Sequence, residues 1–341
     1  MIGSSMEQDH LQLNNFENLN PTEKRFYLDS LARVFSRRVI VEEKTSFFPN
    51  LKDEVIRINE GIPEDFTLPN TGPKYGVSPI TWIPCAKYKI LIKNGFILSD
   101  TEQRVWFEII FDKTIEKDQK DVMKSVIQDP KSVVLSCLVI PEYNNFKIGF
   151  HFYVLRDDNG WKKIKDYYYY GFKNSHMDNQ DSGNTGLIGF DDLSSPEKGL
   201  LGESLGHIFA RRLLIENKTH FFPLFEKEVI RIEKLRYYTV SQSWEPDISF
   251  QILTNVDPID LTLELIPKKH VCVEVKTGRN ARFERFQKDD MQNSSLKSNL
   301  IILCCNILPD SSNSKLNVLF QQVQYKSAWA TVGQYYYKDF L

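Results

Sequence analysis

The sequence contains a long internal repeat at a constant offset of 174 residues. Val34–Ile58 reads VFSRRVIVEEKTSFFPNLKDEVIRI and Ile208–Ile232 reads IFARRLLIENKTHFFPLFEKEVIRI, so 14 of the 25 aligned positions are identical. Weaker matches before and after these blocks follow in the same order in both halves. This pattern predicts the duplication of a whole domain rather than a short-period solenoid.

Length and composition agree with two folded domains. The chain has 341 residues, enough for two separate cores, and 41% of them are hydrophobic. Residues 173–195 are rich in Asn, Asp, Ser and Gly, a composition typical of a linker or surface loop. We therefore predict a first domain over 1–180, a linker over 181–195 and a second domain over 196–341.

Charge, cysteines and hydropathy exclude several classes of protein. The net charge is −2, so any binding of nucleic acid requires a local basic surface. The five cysteines form no CxxC or Cys/His spacing, which argues against a zinc site or a disulfide framework. No apolar run approaches the roughly 18 residues of a membrane span, and the polar N-terminus lacks a signal peptide. We expect no membrane partner and a cytoplasmic location, or a nuclear one in a eukaryote.

The second half reads as a mixed α/β domain with a small sheet and a helix on each side. The predicted helices cover 196–217 and 281–293, and the predicted strands lie near 228–240, 248–254, 260–266, 270–277, 299–306 and 316–324. Pro267 and the two lysines after it predict a tight turn, so the strands on either side should form an antiparallel hairpin.

Chemistry-bearing residues concentrate on this hairpin. Glu274 and Lys276 lie two positions apart on an apolar strand, so their side chains share a face. In the predicted register Asp260 lies opposite Lys276 on that same face. We favour Asp260 as the second carboxylate because the hairpin brings it directly to Glu274. Asp247, which follows a proline, is the main alternative, and Asp257 is a lesser one.

Two carboxylates beside a lysine suit a metal-assisted hydrolysis. Their oxygens are the ligands that Mg2+ or Mn2+ prefers, and the predicted metal ligands are Glu274 with Asp260 or Asp247. The metal would lower the pKa of a bound water and steady the charge on a phosphodiester. Lys276 would orient or deprotonate that water.

These residues resemble the motif of the PD-(D/E)XK, or restriction-endonuclease-like, nuclease superfamily, closest to the archaeal Holliday-junction-resolvase type. Lys198-Gly199-Leu-Leu-Gly-Glu203 is similar to the KGxxxE helix start of that group, whose glutamate assists the metal site. Gln287 falls on the helix after the strand, where many members carry a glutamine. The resemblance covers about residues 196–306.

The resemblance implies a fold and a set of roles. The fold would be α/β, with two tandem restriction-endonuclease-like αβββαβ domains, each a mixed sheet flanked by helices, and a degenerate N-terminal copy. The implied catalytic residues are Asp260, Glu274, Lys276, Gln287 and Glu203, with Asp247 as the alternative aspartate. The substrate would be nucleic acid, DNA favoured over RNA, and the assembly a homodimer or an intramolecular pseudo-dimer.

A run of basic residues follows the motif. Arg279, Arg282, Arg285 and Lys288 recur at every third position and stay near one face over a turn or two. They predict a track for phosphate groups. Acidic residues at 284, 289 and 290 alternate with them, so a salt-bridged helix face explains the pattern equally well.

The first half lacks most of this chemistry. In its matching stretch RVWFEIIFD, Glu108 is kept but Ile110 stands where the lysine should be. Asp29 is the counterpart of Glu203, and no aspartate matches Asp260. We therefore expect a scaffold or substrate-binding role for the first half.

The leading hypothesis is a metal-dependent endonuclease with catalysis in the second half and a pseudo-nuclease first half. A non-catalytic nucleic-acid-binding or assembly protein built on two nuclease-like domains is the first alternative. A ligand-gated defence nuclease is the second, although no residue identifies such a ligand.

Overall fold

The computed structural model describes residues 13–61, 63–67, 81–94, 97–111, 115, 117–142, 147–156, 160–170, 187–188, 190–225, 230–235, 240–241, 244–254, 269–278, 281–310 and 315–338. The helices are α1 (Pro21–Glu42), α2 (Lys44–Phe47), α3 (Lys117–Val126), α4 (Ser195–Glu216), α5 (Lys218–Phe221) and α6 (Arg285–Ser294). The strands are β1 (Leu13–Asn15), β2 (Ile56–Gly61), β3 (Phe66–Thr67), β4 (Thr81–Trp82), β5 (Ala86–Asn94), β6 (Ile97–Ile110), β7 (Ser132–Glu142), β8 (Lys147–Arg156), β9 (Gly160–Tyr169), β10 (Leu187–Ile188), β11 (Ile230–Leu235), β12 (Ile248–Thr254), β13 (Lys269–Thr277), β14 (Leu300–Asp310), β15 (Lys315–Gln322) and β16 (Ala330–Lys338).

The described residues form two compact units. The first domain contains 28–170 with 187–188, and the second contains 13–27 with 190–338. This division differs from the predicted one, because 13–27 group with the second half of the sequence. The reason is pairing: β1 joins β16 in parallel, and the ring of Tyr27 lies 5.6 Å from that of Tyr337.

Each domain is built on one mixed sheet. In the second domain the described strands run β1-β16-β15-β14-β13-β12-β11, and in the first they run β10-β9-β8-β7-β6-β5-β2. The pair β13–β14 is parallel, with α6 as its crossover, and the equivalent pair β6–β7 is parallel around α3. The prediction of a mixed α/β chain with two tandem domains is thereby confirmed.

The two long helices, α1 and α4, begin in the same way. The backbone N–H of Asn20 donates to Glu23 at 2.9 Å, and the backbone N–H of Ser194 donates to Glu197 at 2.7 Å. Each pair forms a capping box, in which the carboxylate of the third helical residue satisfies a backbone donor that the helix leaves free. The predicted helix 196–217 corresponds to α4.

Helix α4 packs on one face of the second sheet and α6 lies against the other. A Cβ atom at Gly202 would lie 1.9 Å from Oγ1 of Thr277, and one at Gly206 would lie 2.8 Å from a methyl of Val275. These glycines let α4 lie directly on β13. On the other side Met291 of α6 is fully buried in a cluster with Cys272.

The antiparallel neighbour of β13 differs from the predicted one. Strand β12 pairs with it, in a register that joins Ile248 to Val273. The predicted strand 260–266 lies outside the described residues, and the hairpin it was to form with β13 is replaced by the β12–β13 pair. Strands β12 and β13 are both buried on their two faces, and this shared burial determines that they pair. A turn predicted from the sequence carries no information about such burial.

The last part of the chain also adds a strand. Strand β14 continues to Asp310, beyond the predicted end at 306, and β16 carries the tyrosines at 335–337. Of the described helices, none combines the length and apolar character needed to cross a membrane.

Candidate functional site

Glu274 is a buried carboxylate near the end of β13, with 2% of its surface exposed. Within the described residues its Oε1 accepts hydrogen bonds from Nζ of Lys276, at 2.7 Å, and from Nε2 of Gln287. Its Oε2 accepts a hydrogen bond from the indole N–H of Trp244 at 2.9 Å. These donors compensate for the loss of water around a buried charge.

Asp247 lies directly beside this carboxylate. It precedes β12, and the register of β12 on β13 brings it to the level of Glu274. Its Oδ2 accepts a hydrogen bond from the backbone N–H of Val275 at 2.7 Å. Loss of hydration, followed by the nearby charge of Glu274, raises the pKa of Asp247 to about 6. The residue as a whole is nevertheless exposed, so solvent reaches a carboxylate that protein surrounds on most sides.

Among the described residues, the aspartate that the structure brings to Glu274 is the alternative one, Asp247. Asp260 lies outside the described residues, and its role as a ligand stays a prediction. The preference for Asp260 depended on the hairpin over 260–277, and β12 holds the place beside β13 that the hairpin required.

Lys276 is held between a carboxylate and an aromatic ring. Its side chain is 20% exposed, and its Nζ lies 5.2 Å from the ring centre of Phe283. Phe283 packs edge-on against Trp329 at 5.2 Å. The alternation along β13 places Lys276 on the face of Glu274, as the sequence predicts.

Gln287 reaches Glu274 from the first turn of α6. The helix begins at Arg285 instead of 281, because residues 281–284 are not helical and Glu284 has an extended backbone. The extended stretch brings Phe283 to the aromatic contact described above. Met291, one turn after Gln287, anchors the helix in the core.

The remaining predicted residues lie at the surface. Glu203 is exposed on α4, and the described hydrogen bonds of Glu274 do not include it. Arg282, Arg285 and Lys288 are exposed, and no ion pair involves them within the part of the chain that is described. Lys288 lies 5.6 Å over the ring of Trp329. Arg279 lies outside the described residues.

Sequence reasoning missed Trp244. A signal for it is present, because Trp244-Glu-Pro-Asp247 has a counterpart in Trp82-Ile-Pro-Cys85. In the first domain the indole N–H of Trp82 donates to Oε2 of Glu108 at 2.9 Å, the same length as in the second domain. The repeat thus extends to this tryptophan and its acceptor.

The first domain has the tryptophan and the glutamate of the site but lacks its aspartate and its lysine. Cys85 stands in the place of Asp247, and Ile110 in the place of Lys276. Gln119 of α3 aligns with Gln287 of α6. Burial, the largest cause, raises the pKa of Glu108 to about 7 and that of Cys85 to about 12. At neutral pH the position of Glu274 is therefore occupied by a partly ionised carboxylate, and the position of Asp247 by an uncharged thiol.

Arg33 lies across the altered site of the first domain. Its guanidinium donates to Asp29 at 2.6 Å, to the carbonyl oxygen of Cys85 at 2.6 Å, and to Glu60. His207 is the residue at the repeat-equivalent position of the second domain. The arginine fixes Asp29, the counterpart of Glu203, in an ion pair.

The donor set of the second domain fits a hard divalent cation with few protein ligands. Asp247 and Glu274 supply carboxylate oxygens, and among described residues Oδ1 of Asp247 accepts no hydrogen bond. No group of three or more His, Cys, Asp or Glu side chains converges in the described ranges. Mg2+ is commonly held by one or two carboxylates together with water and substrate phosphates.

Comparison of the chain with protein-family models, curated proteins and solved structures finds no match.

Proposed function

We propose that the second domain is a metal-dependent nuclease that hydrolyses phosphodiester bonds, with DNA as the favoured substrate. The observation that carries this proposal is the convergence of Asp247, Glu274 and Lys276 at the end of β13. Burial, followed by the nearby charge of Glu274, raises the pKa of Asp247 to about 6, and a divalent cation would stabilise the two carboxylates in their charged form. A site that only stores a metal ion has no need of a positively charged side chain, so the ammonium group of Lys276 beside the carboxylates favours catalysis.

In this proposal Asp247 and Glu274 hold Mg2+ or Mn2+, which when bound supplies an activated water and neutralises charge on the phosphate. Lys276 orients the attacking water and balances charge from a position 2.7 Å from Glu274. Gln287 fixes the carboxylate of Glu274 from α6. Glu203 stays a candidate supporting residue on the helix that packs against β13.

The second domain would have a restriction-endonuclease-like fold and would bind nucleic acid through a basic surface beside Gln287. Apart from the short helices α2 and α5 and the short strands β1, β3, β4 and β10, each domain has the order α-β-β-β-α-β followed by two more strands, which agrees with a restriction-endonuclease-like core. Arg282, Arg285 and Lys288 provide exposed positive charge next to Gln287, where they would contact phosphates without reading sequence. The first domain serves as a scaffold or a substrate-binding module.

A cleavage panel tests the proposal. Wild-type protein and Lys276→Ala are incubated with single-stranded, duplex and branched DNA and with RNA, in Mg2+ or Mn2+. We expect metal-dependent cleavage of at least one substrate by the wild type and none by the variant. Glu108→Ala, the matched change in the first domain, should cleave as the wild type does. Undiminished cleavage by Lys276→Ala contradicts the proposal.

A second candidate is a nucleic-acid-binding protein without catalysis. The observation that favours it is the engagement of Oε1 of Glu274 by both Lys276 and Gln287, as in a stable buried ion pair. Binding of nucleic acid by the wild type, with no cleavage in any divalent metal, would support this candidate over the nuclease.

A further inference from the structure

The two domains share one feature of the site in full: a buried tryptophan that donates to a glutamate. Trp82 is 1% exposed and Trp244 is 3% exposed. Each indole N–H lies 2.9 Å from Oε2 of the glutamate on the strand before the crossover helix. Each tryptophan precedes a proline by two residues and the altered position, Cys85 or Asp247, by three.

The surroundings of the two tryptophans are also alike. Trp244 packs in a cluster with Met291, and Trp82 packs in a cluster with Met123 at the equivalent place on α3. Both side chains therefore contribute to the hydrophobic core. What differs is the polar side of the glutamate: Glu274 faces Lys276 and Gln287, while Glu108 has Ile110 in place of the lysine.

We propose that Trp244 is a positioning residue for the metal site. The proposal rests on the proposed function. The terminal torsion of a glutamate is broad, so burial alone leaves the carboxylate free to rotate. The indole anchors Oε2, and this leaves Oε1 on the side of Lys276 and Gln287. Partners of this kind, which hold a ligand without touching the metal, fix its orientation.

The duplication supplies a matched pair of variants, Trp244→Phe and Trp82→Phe. Each removes one buried N–H donor and keeps an aromatic ring in the core. If the tryptophan only packs, both changes lower the melting temperature and neither changes the affinity for metal. If Trp244 positions Glu274, its variant alone weakens metal binding.

The experiment measures Mn2+ affinity by electron paramagnetic resonance, the melting temperature, and kcat and KM for cleavage. We expect Trp244→Phe to bind Mn2+ about 10- to 100-fold more weakly and to lose kcat by a similar factor. Trp82→Phe should match the wild type in Mn2+ affinity and kcat while losing a comparable amount of stability.

Two results overturn the inference: wild-type Mn2+ affinity in Trp244→Phe, or an equal loss of affinity in both variants. Failure of the proposed function is a different result, namely a wild type that neither binds Mn2+ nor cleaves. Should Trp244→Phe not fold, 3-benzothienylalanine at position 244 makes the same comparison, since it keeps the shape of indole and lacks the N–H.

Discussion

At the scale of single residues, the domains differ chemically at the position that is Asp247 in the second domain and Cys85 in the first. Asp247 and Cys85 both accept a hydrogen bond from a strand backbone, from Val275 and Ile109 respectively. A thiol whose pKa is raised to about 12 stays uncharged at neutral pH and is a poor ligand for Mg2+. The replacement therefore removes one of the two oxygen donors while the backbone stays the same.

The choice of aspartate can be tested directly. We expect Asp247→Asn to lower metal-dependent cleavage by at least about a hundredfold, because one ligand and its charge are lost. Asp260→Asn is the comparison, and it should retain most of the activity. Both variants are assayed under saturating substrate in Mg2+ and Mn2+. The reverse ranking would return the role of ligand to Asp260.

The pKa of Glu108 predicts a pH dependence of stability. In the folded protein this pKa is about 7, whereas the ordinary value is 4.5. Between these pH values the folded state binds more protons than the unfolded state, so stability falls as pH rises from about 4.5 to about 7. Above pH 7 both states are deprotonated and this contribution stays lost.

Glu108→Gln should remove that fall, because the amide carries no titrating proton and still accepts the hydrogen bond of Trp82. The measurement is urea-induced unfolding of the wild type and the variant at pH 5 and pH 8. The variant should gain stability relative to the wild type at pH 8 only. Equal differences at both pH values would contradict the assigned protonation of Glu108.

At the scale of elements, α4 approaches closely the strand that carries Glu274 and Lys276. Gly202 and Gly206 face Thr277 and Val275, the residues on either side of Lys276. At the repeat-equivalent positions of α1 the first half has Leu28 and Ala32, so this approach belongs to the second domain. Helix α4 therefore limits the movement of the strand that carries Glu274.

A pair of glycine variants tests this packing. Gly202→Ala should destabilise the protein by about 1–3 kcal/mol, because the added Cβ would overlap Thr277. The cost of this clash exceeds the gain from the higher helix propensity of alanine. Gly199→Ala meets no atom within 4 Å and should stabilise the helix by about 0.5–1 kcal/mol. Thermal melting with chemical unfolding measures both. A stabilising Gly202→Ala would show that α4 does not lie tightly on β13.

The start of α6 gives a prediction about binding. Arg285→Glu should weaken binding of nucleic acid and reduce the slope of log affinity against log salt by about 1, because a phosphate contact is lost. Lys117→Glu, the aligned change on α3, is the control and should leave both unchanged. Fluorescence anisotropy over a salt series measures the effect, and equal slopes for both variants would remove Arg285 from the interface.

At the scale of the whole molecule, the duplication predicts one metal site in each chain. Glu274→Gln should abolish Mn2+ binding, whereas Glu108→Gln should leave one equivalent bound. Isothermal titration of the wild type and the two variants gives the stoichiometry. Two equivalents in the wild type, one lost with each variant, would mean that the first domain retains a working site.

Much of the architecture follows from local sequence patterns. The helical stripe of α4, the strand over 248–254 and the shared face of Glu274 and Lys276 were all predicted. These features depend on spacings of two to four residues, which a periodic pattern reports directly. Gln287 was also placed on the helix that carries it, although that helix begins four residues later than predicted.

The tertiary structure decided what depends on distant segments. It selected β12 as the neighbour of β13, and with it Asp247 as the carboxylate beside Glu274. It also joined β1 to β16 and brought Trp244 to its acceptor 30 residues away. The duplication, the helices and strands, and the half that carries the aspartate, glutamate and lysine could all be predicted, because they depend on local spacing and on the repeat. Strand partners and buried hydrogen bonds depend on which surfaces exclude water together, and only the folded chain specifies that.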